Sequence, residues 1–497
     1  MGFVDVSVIS PAKIPSEALA IVESLSEAGF AAYIVGGAVR DLLLGIVPKD
    51  FDVATNAQPE EVLALCHRKG WRIVEKLGAN FGVVALVFEH KTWEVATFRT
   101  ECYGDDAHRP ETVRYTDSLQ EDLARRDFTI NAMALTRTGK IIDYFGGRND
   151  LDLALLRTVG DPVKRFQEDA LRLFRACRFA AQLGFRLEDK TYEAMTRCLE
   201  RVKGLSLERV KAEINKLLLS GQVAVGLDYL VHSGLAQCTC QVKRQGQVYE
   251  IALLPELRDL LGVPQNPAFH SFDVWYHTVA AVVASSTDIT VRWAALLHDV
   301  AKGSVGVRSI TAEGRITDYG HDKAGATIAK AILTRLEFAP KFVVRISWLV
   351  EKHMRFHVNF YRTVVENDSR SLVHWLREEA RSGRFRDQAE LKQAFVELAQ
   401  LCFADAIATG KSSKDQASFS KHFLTVLEEV TCKMPVHTSD LVIRGKEICK
   451  WAPEPQSIGS CLKILLQRVQ DGELVNEKNV LLAAAEKWLL KQKLKNN

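Results

Sequence analysis

The sequence predicts an α+β chain in which a mixed α/β head precedes a long helical body, and three observations predict it. Apolar, β-branched and aromatic runs bounded by glycine or polar residues gather before residue 150. Helical periodicity dominates from about residue 161 onward, where strand-like runs are scarce. Pro255, Pro264, Pro267, Pro340 and Pro435 fall where helices should stop or turn. At 497 residues the chain exceeds one ordinary core. The expected division is 1–150 as the head, 151–225 as a helical neck, 226–412 as a helical body and 413–497 as a helical tail.

Composition bounds the function classes. Hydrophobic residues make up 47% and charged residues 26%, as in soluble globular proteins. The balance of 65 Lys+Arg against 62 Asp+Glu neither demands nor excludes a nucleic-acid partner. Distribution says more: 13 Lys/Arg stand against 9 Asp/Glu from 161 to 225, and 10 against 6 from 441 to 497. Ten scattered cysteines without a CxxC pair, and no signal-peptide pattern at the N-terminus, suit a reducing cytoplasm. No run reaches the roughly 18 apolar residues that would span a membrane, so no membrane partner is expected.

In the head, Pro15–Ala28 has helical periodicity, and Ala31–Val35, Gly82–Phe88 and Trp93–Phe98 suit strands. The first strand runs into Gly36-Gly37-Ala38-Val39-Arg40-Asp41, a strand–turn–helix junction. Two glycines there let backbone N–H groups approach a phosphate, and Arg40 adds a forked cation. Lys49-Asp50-Phe51-Asp52 follows. On a strand Asp50 and Asp52 share a face, and two carboxylates on one face repel unless a cation lies between them. Mg²⁺ suits carboxylate and phosphate oxygens. Glu94 can supply a third catalytic carboxylate. A lone D-x-D is more often two solvated acids; its nearness to the glycine turn favours metal-assisted transfer of a nucleotidyl group to a hydroxyl.

These motifs resemble those of the class II tRNA nucleotidyltransferases (CCA-adding enzymes) and bacterial poly(A) polymerases. The resemblance rests on Gly36–Asp41 with Asp50-x-Asp52, then Arg125-Arg126-Asp127-Phe128-Thr129-Ile130-Asn131-Ala132. Asp143 to Gly147, Glu168-Asp169-x-x-Arg172-x-x-Arg175, and Leu205-Ser206-x-Glu208-Arg209 with Glu213 follow in order. It implies a polymerase-beta-like nucleotidyltransferase head, metal held by Asp50 and Asp52, and nucleotide binding by Gly36, Gly37, Arg40, Asp41, Arg126, Asp127 and Asn131. In the neck Arg172, Arg175 and Arg178 recur every three residues, with Asp169 three before, as one stripe on a helix. Exposed ion pairs are the ordinary reading of such a stripe. The chemistry allows another: cytosine and adenine both pair an exocyclic amino donor with a ring-nitrogen acceptor. A carboxylate and a guanidinium together would admit C and A and reject G and U. The resemblance gives that role to Asp169 and Arg172, and nucleotide contacts to Arg175 and Arg178.

The resemblance implies template-free addition of C, C and A to the 3′ end of tRNA from CTP and ATP. Thr100–Val113 looks like the flexible loop of members that add the terminal A. Leu77–Val87 lacks the basic signature associated with poly(A) polymerases. Addition of A alone, and poly(A) synthesis, are the ranked alternatives.

In the body, His298-Asp299 sits in Leu296–Gly303, with His277 upstream and His321, His353 and Asp405 downstream. Four imidazoles and two carboxylates on successive helices suit a transition metal such as Ni²⁺, Co²⁺ or Mn²⁺. The order resembles the HD phosphohydrolase superfamily and implies phosphatase or 2′,3′-cyclic phosphodiesterase activity. His270, His357 and His232 fit less well and read as structural or surface residues. The different-class alternative is an HD phosphohydrolase with a nucleotide-sensing head. The tail, through Leu441–Gly445, Ile458-Gly459 and Leu462–Val469, resembles the family's tRNA-gripping region, and Leu481–Leu490 reads as core packing. Oligomeric state is not legible.

Overall fold

The computed structural model describes residues 8–74, 82–104, 110–410, 416–452 and 454–495. The chain divides into two compact units, 1–258 and 259–497. The first is built on a seven-stranded sheet. Its strands are β1 (Ala32–Val35), β2 (Asp52–Thr55), β3 (Arg72–Ile73), β4 (Val83–Phe88), β5 (Lys91–Thr97), β8 (Met133–Leu135) and β9 (Ile141–Asp143), in the order β3-β4-β5-β2-β1-β8-β9. A separate hairpin joins β6 (Arg99–Tyr103) and β7 (Pro110–Tyr115). The loop expected at Thr100–Val113 is this hairpin; its residues 105–109, like 77–81 of Leu77–Val87, lie outside the described residues.

Register positions the chemistry. In the antiparallel pairing of β1 with β2, Val35 faces Asp52, which sets the Gly36-Gly37 turn beside the acidic run. β2 runs parallel to β5 with Val53 opposite Val95, so Asp52 and Glu94 precede matched positions. The helix Ser16–Glu27 buries Ala18, Ile21, Val22 and Leu25. The strand at the acids is shorter than the sequence suggests: it begins at Asp52, and Asp50 stands in the turn before it. A charged residue gains nothing from sheet burial, and the chain enters the sheet where Val53 can be buried.

Behind the sheet come helices Pro162–Glu168, Leu171–Leu183, Asp189–Arg197, Leu207–Leu218 and Val223–His232. Leu171–Leu183 and Val223–His232 pack at Gly226, where a Cβ would stand 2.6 Å from the Cys177 carbonyl oxygen. Asp169 is not on the arginine helix. It has extended geometry between Pro162–Glu168 and Leu171–Leu183, and its side chain accepts the Leu171 N–H at 3.0 Å. A short polar side chain competes with the helix for such an N–H, which corrects the four-residue stripe to three.

The second unit is helical: Val274–Ala284, Ile289–Leu297, His321–Arg335, Pro340–Val364, Arg370–Arg381, Gln388–Ala408, Gln416–Thr431, Pro455–Gln470 and Lys478–Lys495. Trp275, Trp293, Trp348 and Trp375 are fully buried. Strands are scarce beyond 161 but present: hairpins Thr239–Arg244 with Gln247–Ala252, and Arg308–Ile310 with Ile316–Asp318. At the C-terminal end Leu441, Ile443, Leu465, Leu481 and Leu489 share one core, so the apolar positions of 481–490 pack inward. All ten cysteines are free thiols. Among the described residues no helix is long and apolar enough to cross a membrane.

Candidate active sites

In the first unit a cleft of about 1410 Å³ gathers most of the expected head and neck residues. Asp50 and Asp52 are exposed at its wall. Partial desolvation raises the Asp52 carboxyl, Asp50 adds to the rise and Arg126 opposes it. Glu94, solvent-accessible on β5, is raised by desolvation, then by Asp52 and Asp50. Three carboxylates thus share one negative field, and their oxygen donors fit a hard divalent cation.

Beside them, Gly36 has φ 76° and a Cβ there would lie 2.8 Å from Arg126 Nη1. Only glycine allows the arginine that close. Arg126 donates through Nη2 to Asp122 at 3.3 Å, while its buried Nε has no hydrogen-bond partner among the described residues. Burial lowers its pKa against the pull of Asp122. A buried guanidinium beside a glycine turn, with one N–H left over, can donate to an anion.

The other cations are held in a chain of hydrogen bonds. Arg40 donates through Nε to Asp41 at 2.9 Å and through Nη1 to Asn131 at 2.6 Å. Asn131 donates to Asp127 at 3.0 Å, and Asp127 accepts Arg175 Nε at 2.8 Å and Nη2 at 2.5 Å. Burial opposes charge on Asp127, but Arg175 and these hydrogen bonds hold its carboxyl far below the usual range. Arg178 donates to Glu213 at 2.5 Å and to Gln182 at 2.6 Å.

Asp169 and Arg172 both line the cleft. Arg172 is buried, with its guanidinium fixed by the carbonyls of Arg165 at 2.9 Å and Arg125 at 2.7 Å and by Glu168 at 3.1 Å. Burial raises the Asp169 carboxyl while Arg172 pulls it down. Asp122, missed in the sequence, is 1% exposed and anchors both Arg125 and Arg126. Its position three and four residues before two arginines was the available signal.

In the second unit the six expected ligands come together as two triads: His277, His298 and Asp405, and Asp299, His321 and His353. The ligands expected at one site thus fall into two adjoining groups of three. Asp299 stands between the triads. Its Oδ2 is 3.3 Å from His277 Nε2 and 3.2 Å from His298 Nε2, while its Oδ1 is 3.4 Å from His321 Nε2. His277 Nε2 lies 3.0 Å from Asp405. The His-Asp pair sits at the end of helix Ile289–Leu297, with His298 as its C-cap, rather than within a helix. Lys302 adds a charge contact to the same Asp299 Oδ2 at 2.7 Å.

Imidazole orientation is set from behind. The Nδ1 atoms of His298, His321 and His353 meet the carbonyls of Ala295 at 2.8 Å, Asp318 at 2.7 Å and Val350 at 2.6 Å. That leaves each Nε2 free to ligate, the arrangement metal-binding histidines use. Burial opposes charge on His298, but Asp299 and Asp405 outweigh it and raise its pKa to about 10. Burial and His298 push His353 down to about 3. The donor set fits a borderline transition metal.

A cavity of about 680 Å³ opens onto Asp299, His321, His353 and Asp405. Two histidines set aside in the sequence line it as well. His357 Nε2 is 2.9 Å from Asp405, and the His270 ring packs edge-on against His277 at 4.8 Å, its pKa pushed down to about 4 by burial. His357 lies four residues after His353 on one helix, a spacing that signals a shared face. Lys302 Nζ, also missed, stands 2.7 Å from Asp299 and 2.9 Å from Gln265. His232 lies elsewhere, paired with Asp228.

Comparison with known proteins follows this division. Residues 32–157 match the poly A polymerase head domain, 184–238 the probable RNA and SrmB- binding site of polymerase A, and 268–409 the HD domain. The head and the HD domain both imply dependence on a divalent metal. The CCA-adding enzyme of Bacillus velezensis (strain DSM 23117 / BGSC 10A6 / LMG 26770 / FZB42) is 46% identical over 221 residues, 44% of this chain and 54% of that protein. That of Bacillus subtilis (strain 168) is 44% identical over 223 residues, 45% of this chain and 55% of that one. The chain spans about half the length of these curated relatives. The crystal structure of the Bacillus stearothermophilus CCA-adding enzyme in complex with CTP aligns with TM-score 0.62 and 27% identity, over 97% of this chain and 98% of that one.

Proposed function

We propose that this chain, which carries a poly A polymerase head domain and resembles the CCA-adding enzymes, adds C, C and A to the 3′ end of tRNA without a nucleic-acid template, using CTP and ATP. The observation that carries the reading is the gathering, in one cleft, of the Asp50 and Asp52 carboxylates with the Gly36 turn and the Arg126 guanidinium, Glu94 sharing the field of the two acids. Asp50 and Asp52, with Glu94 beside them, hold Mg²⁺. A divalent cation there lowers the pKa of the attacking hydroxyl and shields charge on the phosphates. Arg40 and Arg126 bind the triphosphate at the glycine turn, with Asp41, Asp127 and Asn131 orienting them. Asp169 accepts from the exocyclic amine of C or A, and Arg172 donates to the ring nitrogen. Arg175 and Arg178 complete the nucleotide contacts. The tail grips tRNA through phosphate contacts, and the enzyme works in the cytoplasm. The four-part division into head (1–150), neck (151–225), HD body (226–412) and tail (413–497) belongs to this reading.

The test is direct. Purified protein with Mg²⁺ is given tRNA transcripts ending before CCA, after C, and after CC, with each nucleoside triphosphate supplied separately. Ordered addition of C, C and A supports the reading. Addition of A alone to the CC transcript selects the A-adding alternative, and long A tails select poly(A) synthesis.

A second reading rests on the two triads. The HD domain hydrolyses a phosphomonoester or 2′,3′-cyclic phosphate at RNA ends, with Ni²⁺, Co²⁺ or Mn²⁺ held by His277, His298, Asp299, His321, His353 and Asp405. Absence of hydrolysis with all three metals on both substrate types would refute it.

A further inference from the structure

Phe179 looks at first like a core residue of helix Leu171–Leu183: it is 5% exposed, and Phe128 packs edge-on against it at 5.7 Å. Its remaining neighbours are not those of a core ring. The guanidinium carbon of Arg178 lies 3.8 Å from the ring centroid, that of Arg40 5.2 Å and that of Arg175 5.4 Å. Each arginine is held along one edge by an acid: Arg40 by Asp41, Arg175 by Asp127 and Arg178 by Glu213. Three like charges around a single side chain repel. The π-face of an aromatic ring carries partial negative charge and accepts the plane of a guanidinium. Phe179 lines the same cleft as Gly36, Gly37 and Arg126.

We propose that Phe179 is a positioning residue of the nucleotide cleft, whose π-face holds the guanidinium groups of Arg40, Arg175 and Arg178 together as one anion-binding cluster for the incoming triphosphate. This rests on reading the cleft as a nucleoside triphosphate site. The acids set the edge of each guanidinium and the ring sets its plane. Removing the ring's charge pattern lets the three cations spread, which weakens triphosphate binding without touching the carboxylates that serve the reaction.

Equilibrium binding of CTP to the full chain, with Mg²⁺ present, and steady-state addition to a tRNA transcript test it. Phe179→Leu should raise the CTP Kd and KM about tenfold, the scale of one partly desolvated cation–π contact, while kcat at saturation changes less than about threefold. Phe179→Tyr, which keeps the π-face, should restore binding to near the wild-type value. Replacing the ring by its pentafluoro analogue keeps the shape and reverses the charge of the face, so it stays informative even if Phe179→Leu does not fold. It should weaken CTP at least as much as Phe179→Leu. Wild-type affinity in the pentafluoro protein, or equal losses in the Tyr and Leu variants, would overturn the inference and leave the cleft reading standing. If wild-type protein binds no nucleoside triphosphate, both fall together.

Discussion

In the first unit Asp50 and Asp52 stand exposed at the wall of an open cleft that cationic side chains also line. In the second, Asp299 and Asp405 are buried among imidazoles, three of which, His298, His321 and His353, turn their far nitrogens to backbone carbonyls. Both arrangements concentrate ligand atoms, but they meet the cost of doing so differently. The head leaves its carboxylates only partly desolvated, so a weakly held cation can come and go with the substrate's phosphates. The HD cluster takes its carboxylates out of water, which needs a resident positive charge. Lys302, 2.7 Å from Asp299, supplies one such charge from the protein itself. A charge cluster that must form at each turnover and one that is built into the fold call for different perturbations.

The largest effect should come from the exposed acids. Asp50→Ala or Asp52→Ala should remove several kcal/mol of transition-state stabilisation, about a thousandfold or more in addition rate. Because both positions are exposed, thermal melting should remain near wild type. Incorporation within tenfold of wild type would break the assignment of a metal site to the head.

The next test asks whether the two sites are separable. His298→Ala or Asp299→Ala should abolish metal-stimulated hydrolysis while leaving Mg²⁺-dependent addition nearly unchanged, since the residues belong to different compact units. Asp299→Ala should lose more bound metal than His353→Ala, because Asp299 lies against imidazoles of both triads; metal content per chain measures this. After chelation, Mg²⁺ alone should restore addition, and a transition metal should be needed for hydrolysis. Loss of addition in a folded HD variant would mean that the sites are coupled.

A smaller effect is expected at base choice. Arg172→Ala should raise misincorporation of U and G relative to C and A by about 1–3 kcal/mol, roughly ten- to a hundredfold. The ratio of kcat/KM values for the four nucleotides reports it, and an unchanged ratio would leave Arg172 as a brace between the Arg125 and Arg165 carbonyls.

The smallest effect is on stability. Glu94 is raised in the folded state by desolvation and by Asp52 and Asp50, so its charged form opposes folding. The penalty is full above the raised pKa and vanishes as pH falls below the unfolded-chain value. Metal-free Glu94→Gln should therefore melt higher than wild type at neutral pH, with the gap closing under acid. A pH-independent gap would mean that repulsion among these carboxylates is not its cause.

How much of this was legible in the sequence follows from how each residue reaches its site. Gly36 to Asp52 and His298-Asp299 stand in short contiguous runs, and local backbone geometry delivers them. Glu94 was accessible because the acid lies within a recognisable strand. Asp122 was not, since a buried anchor in Leu119–Ala124 reads like any surface acid until Arg125 and Arg126 fold back on it. His270 arrives from a loop, and loop residues carry no periodicity to read. How the six groups sort around Asp299 depends on which of its oxygens faces which imidazole, a matter of rotamer rather than of order along the chain.

The pairing of β1, β2 and β5 has one more consequence, which concerns how such a chain can change over generations. Val35 faces Asp52 on one side, and Val53 faces Val95 on the other. Because strand side chains alternate between faces, inserting or deleting a single residue within Asp52–Thr55 would turn its neighbours over and take the acid away from both the glycine turn and Glu94. No partial version of the site lies between the two registers. Length variation in descendants of this chain is therefore channelled into its loops, and a library of single-residue insertions across 30–100 should show activity lost as a step at these three strands rather than as a gradient with distance from the carboxylates.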